Sequence, residues 1–342
     1  MHIQRAIAQV IEGHSLSTDD MVAVMRQIMT GECTDAQIAG FLVALRIKGE
    51  TVSEITGAAK VMRELATSVS VTGDHLVDIV GTGGDGASIF NVSTASTFVV
   101  AAAGGQVAKH GNRSVSSKSG AADLLEVAGV RLDINSEQVA RCVESVGVGF
   151  MFALNHHSAM RHAIGPRKEL ATRTLFNLLG PITNPAGVKN QLLGVFSKQW
   201  VRPIAQVLKD LGSDHVLVVH SADGLDEISI ADETYVAELH KGEITEYTIT
   251  PEQFGIQRGS LADLKVADAN ESLTLIKSLL KGQESSASDI VALNAGAAIY
   301  AANIASTLEQ GVIMAQDILA AGTGAEKLKE LIDVTETMKA AQ

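Results

Sequence analysis

The spacing of apolar residues divides the chain into a helical beginning and a longer part in which strands alternate with helices. Over residues 38–45 and 55–62, apolar side chains recur three and four positions apart, which places them on one face of a helix. Ser17 and the capping-box segments 34–37 and 51–54 predict where helices begin. We therefore predict a small helical domain over residues 1–70. Its apolar stripes are Ile38, Phe41, Leu42, Leu45, Ile55, Ala58, Ala59 and Met62.

After residue 70 the pattern changes to short apolar runs that end at glycine-rich or acidic loops. Residues 76–80, 105–109 and 215–220 predict buried strands, and residues 98–103 predict a helix between the first two. This alternation predicts an α/β domain with a mainly parallel sheet, over residues 71–166 and 191–342. A helical segment of about 167–190, broken at 180–185, is predicted to join the two domains. The alanine-rich helix over 294–302 is interpreted as scaffold.

Two loops that follow predicted strands carry the strongest chemical signal. The first runs from Gly81 to Thr94 (GTGGDGASIFNVST), and the second covers residues 109–120 (KHGNRSVSSKSG). Glycines let backbone N–H groups approach an anion closely, and hydroxyl and ammonium groups complete such a cradle. No Asp or Glu lies between residues 87 and 122, although the chain carries a formal net charge of -12. These loops predict an anionic ligand, phosphate or pyrophosphate, at the carboxyl ends of the strands.

Other interpretations of these loops fit less well. The first loop matches the dinucleotide pattern G-x-G-x-x-G, but the acidic residue needed about twenty positions later to hold a ribose is missing. The second loop lacks the glycine that precedes Lys-Ser in a Walker A motif, because Ser117 stands there. Ordinary tight turns remain an alternative, although two cationic or polar glycine loops at two strand ends are uncommon as turns alone.

Side chains beyond the two loops add a candidate metal and acceptor site. Asp226 and Glu227 follow the strand 215–220, and such carboxylates, although often merely solvated, can hold Mg²⁺ together with substrate phosphates. The histidines at 156, 157 and 162 match no zinc spacing and are expected to pack or line a pocket. Arg167 is placed where a helix is expected to begin. It is either a surface arginine or a fork for a substrate carboxylate.

Composition bounds the remaining possibilities. A length of 342 residues fits about two domains, and 46% hydrophobic residues fit a sizeable core. The acidic balance argues against non-specific nucleic-acid or membrane binding. Two cysteines provide no disulfide framework, and no signal peptide or membrane-spanning stretch is apparent. We therefore expect a cytoplasmic protein without nucleic-acid or membrane partners.

Five segments together resemble the anthranilate phosphoribosyltransferase family of tryptophan biosynthesis. They are GTGGD at 81–85, NVST at 91–94, KHGNR at 109–113, FALNHH at 152–157 and NLLGPITNP at 177–185. The resemblance spans essentially the whole chain. It implies a homodimer of subunits with a small helical and a large α/β domain, and transfer of phosphoribose from phosphoribosyl pyrophosphate (PRPP) to the amine of anthranilate, with Mg²⁺, two ions per subunit.

The resemblance also implies roles for individual residues, but no general acid or base. Anthranilate would be bound by Gly81, His110, Asn112 and Arg167, and the metal ions by Ser93, Asp226 and Glu227. PRPP would be bound by Gly81, Gly84, Asp85, Ile89, Asn91, Val92, Ser93, Thr94, Lys109, His110, Gly111, Asn112, Arg113, Ser114, Val115, Ser116, Ser117 and Ala121.

This chain departs from the family pattern at three positions. Leu154 stands where Pro is usual, Ala121 where Ser is usual, and Ile89 where Thr is frequent. These changes bear on affinity more than on reaction type. Two alternative functions stay open at this point: a pyrimidine nucleoside phosphorylase-like enzyme, which would bind free phosphate, and a non-catalytic relative that binds nucleic acid. The intact glycine loops argue against both.

Overall fold

The computed structural model describes residues 1–113 and 119–338. The chain begins with the helices α1 (Ile3–Ile11), α2 (Thr18–Thr30), α3 (Asp35–Lys48) and α4 (Val52–Glu64). The Ser17 hydroxyl accepts a hydrogen bond from the backbone of α2, and Thr34 and Thr51 each belong to a complete capping box. The predicted starts of α2, α3 and α4 are therefore confirmed. All eight residues of the predicted apolar stripes are buried.

The described residues form one sheet of seven strands in the order β3-β2-β1-β4-β5-β6-β7. The strands are β1 (Leu76–Gly81), β2 (Gln106–Gly111), β3 (Val148–Phe152), β4 (Asn190–Gly194), β5 (His215–Ser221), β6 (Thr234–His240) and β7 (Glu243–Ile249). Strands β1 to β5 are parallel, whereas β6 and β7 are antiparallel. The prediction of a mainly parallel sheet is confirmed. The strand order reverses between β1 and β4, where ligand crevices open at the carboxyl ends of such sheets.

Helices cover both faces of this sheet. Those after β1 are α5 (Val92–Ala102), α6 (Ala121–Ala128), α7 (Ser136–Val146), α8 (Ala153–His156), α9 (Arg161–Leu170), α10 (Phe176–Leu179), α11 (Val201–Asp210), α12 (Ala269–Leu279), α13 (Ser286–Ala301), α14 (Leu308–Ala321) and α15 (Gly324–Thr337). No helix among the described residues combines the length and apolar character needed to cross a membrane.

Alternating side chains of the central strands separate two hydrophobic cores. Val216 and Val218 of β5 pack in a core with α1 to α4, α10 and α11, whereas Leu217 and Val219 pack in the other, with α5, α7 and α13. Successive strand residues point to opposite faces, so one buried strand serves both cores. The apolar core of the helical beginning thus continues onto one face of the sheet.

The segment 167–190 is less helical than predicted. The helix α9 begins at Arg161 and ends at Leu170, and α10 adds only residues 176–179. The remainder consists of turns, in which Thr183 and Asn184 are buried and make side-chain hydrogen bonds. The prediction of a helical segment was therefore wrong for most of its length, because the Asn184 side chain accepts from the Ala186 N–H in a turn and donates to Ala108 and Asp78 far away in the chain.

Candidate active site

A gap between β1 and β2 is filled by the side chains of Asp78 and Asn184. The described ladder between the two strands covers only the pairs Leu76–Gln106 and Val77–Val107. Beyond it, one Asp78 oxygen accepts from the His110 N–H (3.2 Å), and the other accepts from the Asn184 side-chain amide (2.7 Å). That amide also donates to the Ala108 carbonyl (2.9 Å). These bonds hold the strands apart while their backbone groups stay paired.

Lys109 crosses this gap from the middle of β2. Its ammonium group donates to the Ile79 carbonyl (2.5 Å) and to the Ser93 hydroxyl (3.2 Å), and the side chain is buried. Burial lowers the pKa of Lys109, while the charges of Asp78 and Glu227 act in the opposite direction. Burial raises the pKa of Asp78 to about 6, against the lowering effect of Lys109. The gap therefore holds the Lys109 side chain within hydrogen-bond distance of Ser93, near the end of the first glycine loop.

The first glycine loop follows β1, and its backbone adopts conformations that favour glycine. Gly83, Gly84 and Gly86 have φ values of 67°, 78° and 76°, in the left-handed region where a side chain is strained. The Gly83 N–H donates to Asp226 Oδ2 (2.6 Å), and the Arg173 guanidinium donates to the Gly84 carbonyl. Arg173 is fixed in turn over the ring of Phe196, 4.4 Å from its centroid. The loop is thus tied to the residues after β5 and to the segment after α9.

The amino terminus of α5 lies next to this loop. Asn91 precedes the helix, and its side chain bonds to Ser119 and to Ser272, each through a 2.8 Å contact to Oδ1. Ser93 and Thr94 occupy the first turn. The buried Thr94 hydroxyl has no hydrogen-bond partner among the described residues. A helix amino terminus with an unused hydroxyl is suited to an anion, because its N–H groups and dipole favour negative charge.

Asp226 and Glu227 lie beyond the end of β5, as predicted, and close to α5. Burial, followed by the charge of Asp85, raises the pKa of Asp226 to about 7. Burial and the neighbouring Asp226 raise the pKa of Glu227 well above its usual range, against the lowering effects of Lys109 and of a hydrogen bond from the Ser93 backbone. The structure thus brings the predicted metal ligands Ser93, Asp226 and Glu227 to one place.

Two paired glycines make room for Asp226. Gly81 and Gly194 face each other across β1 and β4, and a Cβ atom on Gly194 would overlap the Asp226 carbonyl oxygen. A Cβ atom on Gly81 would meet the Asp226 carboxylate. Glycine is required here by close approach, since neither residue has a positive φ.

The chemistry of these carboxylates fits a divalent cation. Asp85, Asp226 and Glu227 place negative charge on one another in a largely buried region, which is unfavourable without a nearby cation. Carboxylate and hydroxyl oxygens are the ligands that Mg²⁺ prefers, and substrate phosphates commonly complete its shell. The residues present therefore suit a Mg²⁺ ion that binds together with a phosphate ligand.

A buried asparagine of α13 holds the chain just after this acidic pair. Asn294 accepts from the Ile228 N–H (2.9 Å) and donates to the Ile228 carbonyl (2.9 Å). Sequence reasoning interpreted this helix as scaffold and missed the contact. Asp78, Asn184 and Arg173 were also missed as site-building residues, since their hydrogen bonds join segments far apart in the chain. The contact of Asn294 could have been suspected from the sequence, because Asn294 is a polar residue within an apolar run.

Two histidines beside the site are neutral at physiological pH. Burial, followed by the charges of His157 and His156, lowers the pKa of His110 to about 3, and burial lowers the pKa of His157 to about 4. Their rings lie 5.1 Å apart. The Nε2 atom of each is buried and has no partner among the described residues. Such unused ring atoms suit contacts with a polar, uncharged group of a ligand.

Arg167 lies in the last turn of α9, so the prediction that a helix begins there was wrong. The helix starts six residues earlier and contains Pro166. The guanidinium carbon is 5.1 Å from the centroid of the Phe176 ring, and burial lowers the pKa of Arg167. Contact with an aromatic face keeps the guanidinium in a fixed plane, which favours bidentate binding of a carboxylate.

The second loop is described only at its two ends. Gly111 ends β2, and the Asn112 carbonyl accepts from the Ala122 N–H in the first turn of α6 (3.3 Å). Arg113 pairs with Asp123 (3.2 Å) and with Glu126. Ser114, Val115, Ser116 and Ser117 lie outside the described residues.

The three positions that depart from the family pattern differ in their surroundings. Ala121 is the first residue of α6, and Ile89 forms an isolated bridge with Lys265. Leu154, on α8, is a large apolar residue that is 54% exposed. An exposed leucine beside His156 and His157 has room to contact a ligand.

Comparisons with known proteins match both the helical beginning and the α/β part of the chain. The chain matches a glycosyl transferase family profile for an α/β domain over residues 73–325 and one for a helical bundle domain over residues 4–66. It is 62% identical over 337 residues to the anthranilate phosphoribosyltransferase of Marinomonas sp. (98% of this chain, 97% of the relative). It is 63% identical over 337 residues to that of Saccharophagus degradans (97% of this chain, 99% of the relative).

Solved structures of similar proteins share the fold. The crystal structure of anthranilate phosphoribosyltransferase from Thermus thermophilus has a TM-score of 0.92 and 44% identity, covering 97% of this chain and 99% of that one. The enzyme from Saccharomyces cerevisiae in complex with PRPP and Mg has a TM-score of 0.89 and 26% identity, covering 98% of both chains.

Proposed function

The chain belongs to the anthranilate phosphoribosyltransferase family, and we propose that it transfers the 5-phosphoribosyl group of PRPP to the amine of anthranilate. The products are N-(5-phosphoribosyl)anthranilate and pyrophosphate, in the second step of tryptophan synthesis from chorismate. The observation that carries the proposal is the convergence of the first glycine loop, the α5 amino terminus and the pair Asp226–Glu227 at one edge of the sheet. The relatives support this activity and not nucleoside phosphorolysis or nucleic-acid binding.

We propose that the pyrophosphate part of PRPP binds to the first glycine loop and the first turn of α5. The backbone N–H groups of this region, the Thr94 hydroxyl and the Lys109 ammonium group provide positive charge and hydrogen-bond donors. The other donor-binding residues in this proposal are Gly81, Gly84, Asp85, Ile89, Asn91, Val92, Ser93, His110, Gly111, Asn112, Arg113, Ser114, Val115, Ser116, Ser117 and Ala121.

We further propose two Mg²⁺ ions per subunit, one at Ser93 and one at Asp226 and Glu227. The buried, mutually repelling carboxylates support this assignment, as does the complex of the yeast relative with PRPP and Mg. When bound, Mg²⁺ neutralises the negative charge that develops on the departing pyrophosphate. The Ser93 backbone and Lys109 hold Glu227 in place for this purpose.

The acceptor, anthranilate, is proposed to bind to Gly81, His110, Asn112 and Arg167. Arg167 would hold the carboxylate of anthranilate, and the unused Nε2 atom of His110 suits its neutral amine. A pKa of about 3 makes His110 a poor proton acceptor at pH 7. His110 therefore positions the amine, and the reaction proceeds without a general base from these residues.

The reaction follows from positioning and electrostatics. The bond between the anomeric carbon and the pyrophosphate oxygen breaks, a bond from that carbon to the amine nitrogen forms, and the amine proton is lost to solvent. The aryl amine is already neutral, so no strong base is needed before the attack. The protein contributes by aligning the two substrates and by stabilising the leaving group.

The assembly and location of the protein are part of the same proposal. We infer a homodimer, with the small domain over 1–70 and the large domain over 71–166 and 191–342. Ile11 and Ile47, on α1 and α3, are 70% and 82% exposed, which suits an interface on the helical domain. The free thiols of Cys33 and Cys142 suit the reducing cytoplasm. Light scattering on the purified protein tests the dimer.

The activity is tested by mixing the purified protein with Mg²⁺, PRPP and anthranilate and following the loss of anthranilate fluorescence. We expect a decay that requires both PRPP and Mg²⁺. A matched reaction with a pyrimidine nucleoside and inorganic phosphate should release no base. A decay that persists without PRPP, or none with both present, would contradict the proposal.

A further inference from the structure

A second group of metal-ligating side chains lies away from the candidate active site, where β5 begins. His215 is the first residue of β5, and Glu238 and His240 lie near the end of the antiparallel strand β6. Asp226 follows the other end of β5, so the two sites are on opposite edges of the sheet. His215 Nε2 is 3.2 Å from Glu238 Oε1, and His240 Nδ1 is 3.8 Å from the same oxygen.

Neighbouring residues orient these side chains by hydrogen bonds, as the residues around a protein metal site orient its ligands. His215 Nδ1 bonds to Asn303 Oδ1 (2.9 Å), which directs the Nε2 atom of the ring towards Glu238. The hydroxyls of Tyr300 and Tyr247 each donate to one Glu238 oxygen at 2.7 Å. Metal-bound histidines characteristically donate their second N–H to a carbonyl or carboxylate, and metal-bound carboxylates are themselves hydrogen-bonded.

Imidazoles are the charge partners of Glu238 among the described residues. His215 Nδ1 is bonded to Asn303, which leaves Nε2 facing a Glu238 oxygen at 3.2 Å, a spacing that two ligand atoms of one metal ion can have. Among the described ion pairs, those of Glu238 are with His215 and His240, with no Lys or Arg.

We propose that His215, Glu238 and His240 bind a divalent transition-metal ion of the Zn²⁺ class. Two imidazoles and one carboxylate suit Zn²⁺, whereas Mg²⁺ prefers oxygen ligands alone. Ligand atoms around a tetrahedral Zn²⁺ lie roughly 3.4 Å apart, as follows from bonds of about 2.0–2.1 Å. The spacings of 3.2 Å and 3.8 Å are close to this value. Solvent supplies the fourth ligand.

One movement accompanies binding. The imidazoles of His215 and His240 are stacked with centroids 4.1 Å apart and planes 9° from parallel, so both lone pairs cannot meet at one ion without a rotation. His215 is buried and fixed, whereas the His240 side chain is 35% exposed. We therefore expect the His240 ring to turn about its Cβ–Cγ bond and close the site from the solvent side.

The proposal is tested with protein freed of metals by a chelator. Zn²⁺ is titrated in competition with a chromophoric chelator, in excess Mg²⁺ so that the oxygen-ligand site at Asp226 is occupied. Wild-type protein should take up one tightly bound equivalent, and H240A and E238Q should each weaken its binding at least about tenfold. H14A is the matched control, because His14 is also beside a glutamate, at 3.7 Å from Glu12, but its side chain is 69% exposed.

Thermal unfolding and Co²⁺ substitution separate this site from adventitious binding. Zn²⁺ should raise the melting temperature of the wild type and of H14A but not of H240A. Co²⁺ should give the visible bands of a tetrahedral site in the wild type and lose them in H240A. H240A should keep its Mg²⁺-dependent activity, since His240 is remote from that site. Tight Zn²⁺ binding that H240A leaves unchanged, or no saturable equivalent in the wild type, would overturn the proposal.

Discussion

Replacing Asp226 by Asn should stabilise the metal-free protein. The carboxylate of Asp226 is buried, and the charge of Asp85 acts on it, which together raise its pKa from 3.8 to about 7. Ionising Asp226 therefore costs more free energy in the folded protein than in the unfolded chain. The amide of an asparagine carries no charge and retains an oxygen that can accept from the Gly83 N–H.

The size of the effect follows from the shift in pKa. About three pKa units correspond to about 4 kcal/mol at 1.36 kcal/mol per unit. Because the folded-state pKa is raised, the stabilisation of the protonated form is fully present below pH 3.8 and is lost as the pH rises through about 7. The ionisation cost is thus about 1.6 kcal/mol at pH 5 and about 4 kcal/mol at pH 8. We expect the free energy of unfolding of D226N to exceed that of the wild type by about 2–4 kcal/mol at pH 8.

The assay is urea unfolding in EDTA at pH 5 and pH 8, at one fixed protein concentration, since oligomers unfold in a concentration-dependent way. D317N, which removes an exposed carboxylate on α14, is the control and should change stability little at either pH. Mg²⁺ should stabilise the wild type more than D226N. Equal or lower stability of D226N at pH 8, with no dependence on pH, would refute the electrostatic account of this site.

Three further substitutions test other parts of the structure. G194A places a Cβ atom against the Asp226 carbonyl and should lower kcat/KM about 100-fold, as kinetics against the helix-surface control G40A would show. R167A should raise the KM for anthranilate at least about tenfold with little change in the KM for PRPP, and equal effects would mean that Arg167 is structural. T51A removes a capping box of α4 and should cost about 1–2 kcal/mol in urea unfolding with kcat unchanged.

Local patterns were sufficient to predict the elements that depend on local contacts. The capping boxes at Thr34 and Thr51 and the short strand runs correctly indicated the first helices and the parallel sheet, because caps and apolar periodicity act within a few residues. The segment 167–190 was predicted poorly, since its turns are held by Thr183 and Asn184, whose partners reach as far as Asp78. The antiparallel strands β6 and β7 were also not predicted.

The candidate site could likewise be predicted from the sequence only in part. The glycine loops and Asp226–Glu227 follow strands directly, so their place at the carboxyl edge could be predicted from sequence. The contacts that shape the site could not be predicted, because each of them joins distant segments of the chain. They are the hydrogen bond between Asp78 and Asn184, the close approach of Gly81 and Gly194 to Asp226, and the hydrogen bonds between Asn294 and Ile228. The substrates were predicted only from the family resemblance. The residue pattern alone predicted no more than a phosphate or pyrophosphate ligand.

The most direct test of the central claim is the initial rate of anthranilate consumption as a function of Mg²⁺ concentration, in the wild type and in the double variant D226N/E227Q. If these carboxylates hold the ion that neutralises the leaving pyrophosphate, the wild type will saturate with Mg²⁺, and the double variant will need more Mg²⁺ and reach a lower maximum. Superimposable Mg²⁺ titration curves would contradict the account and move the metal site elsewhere.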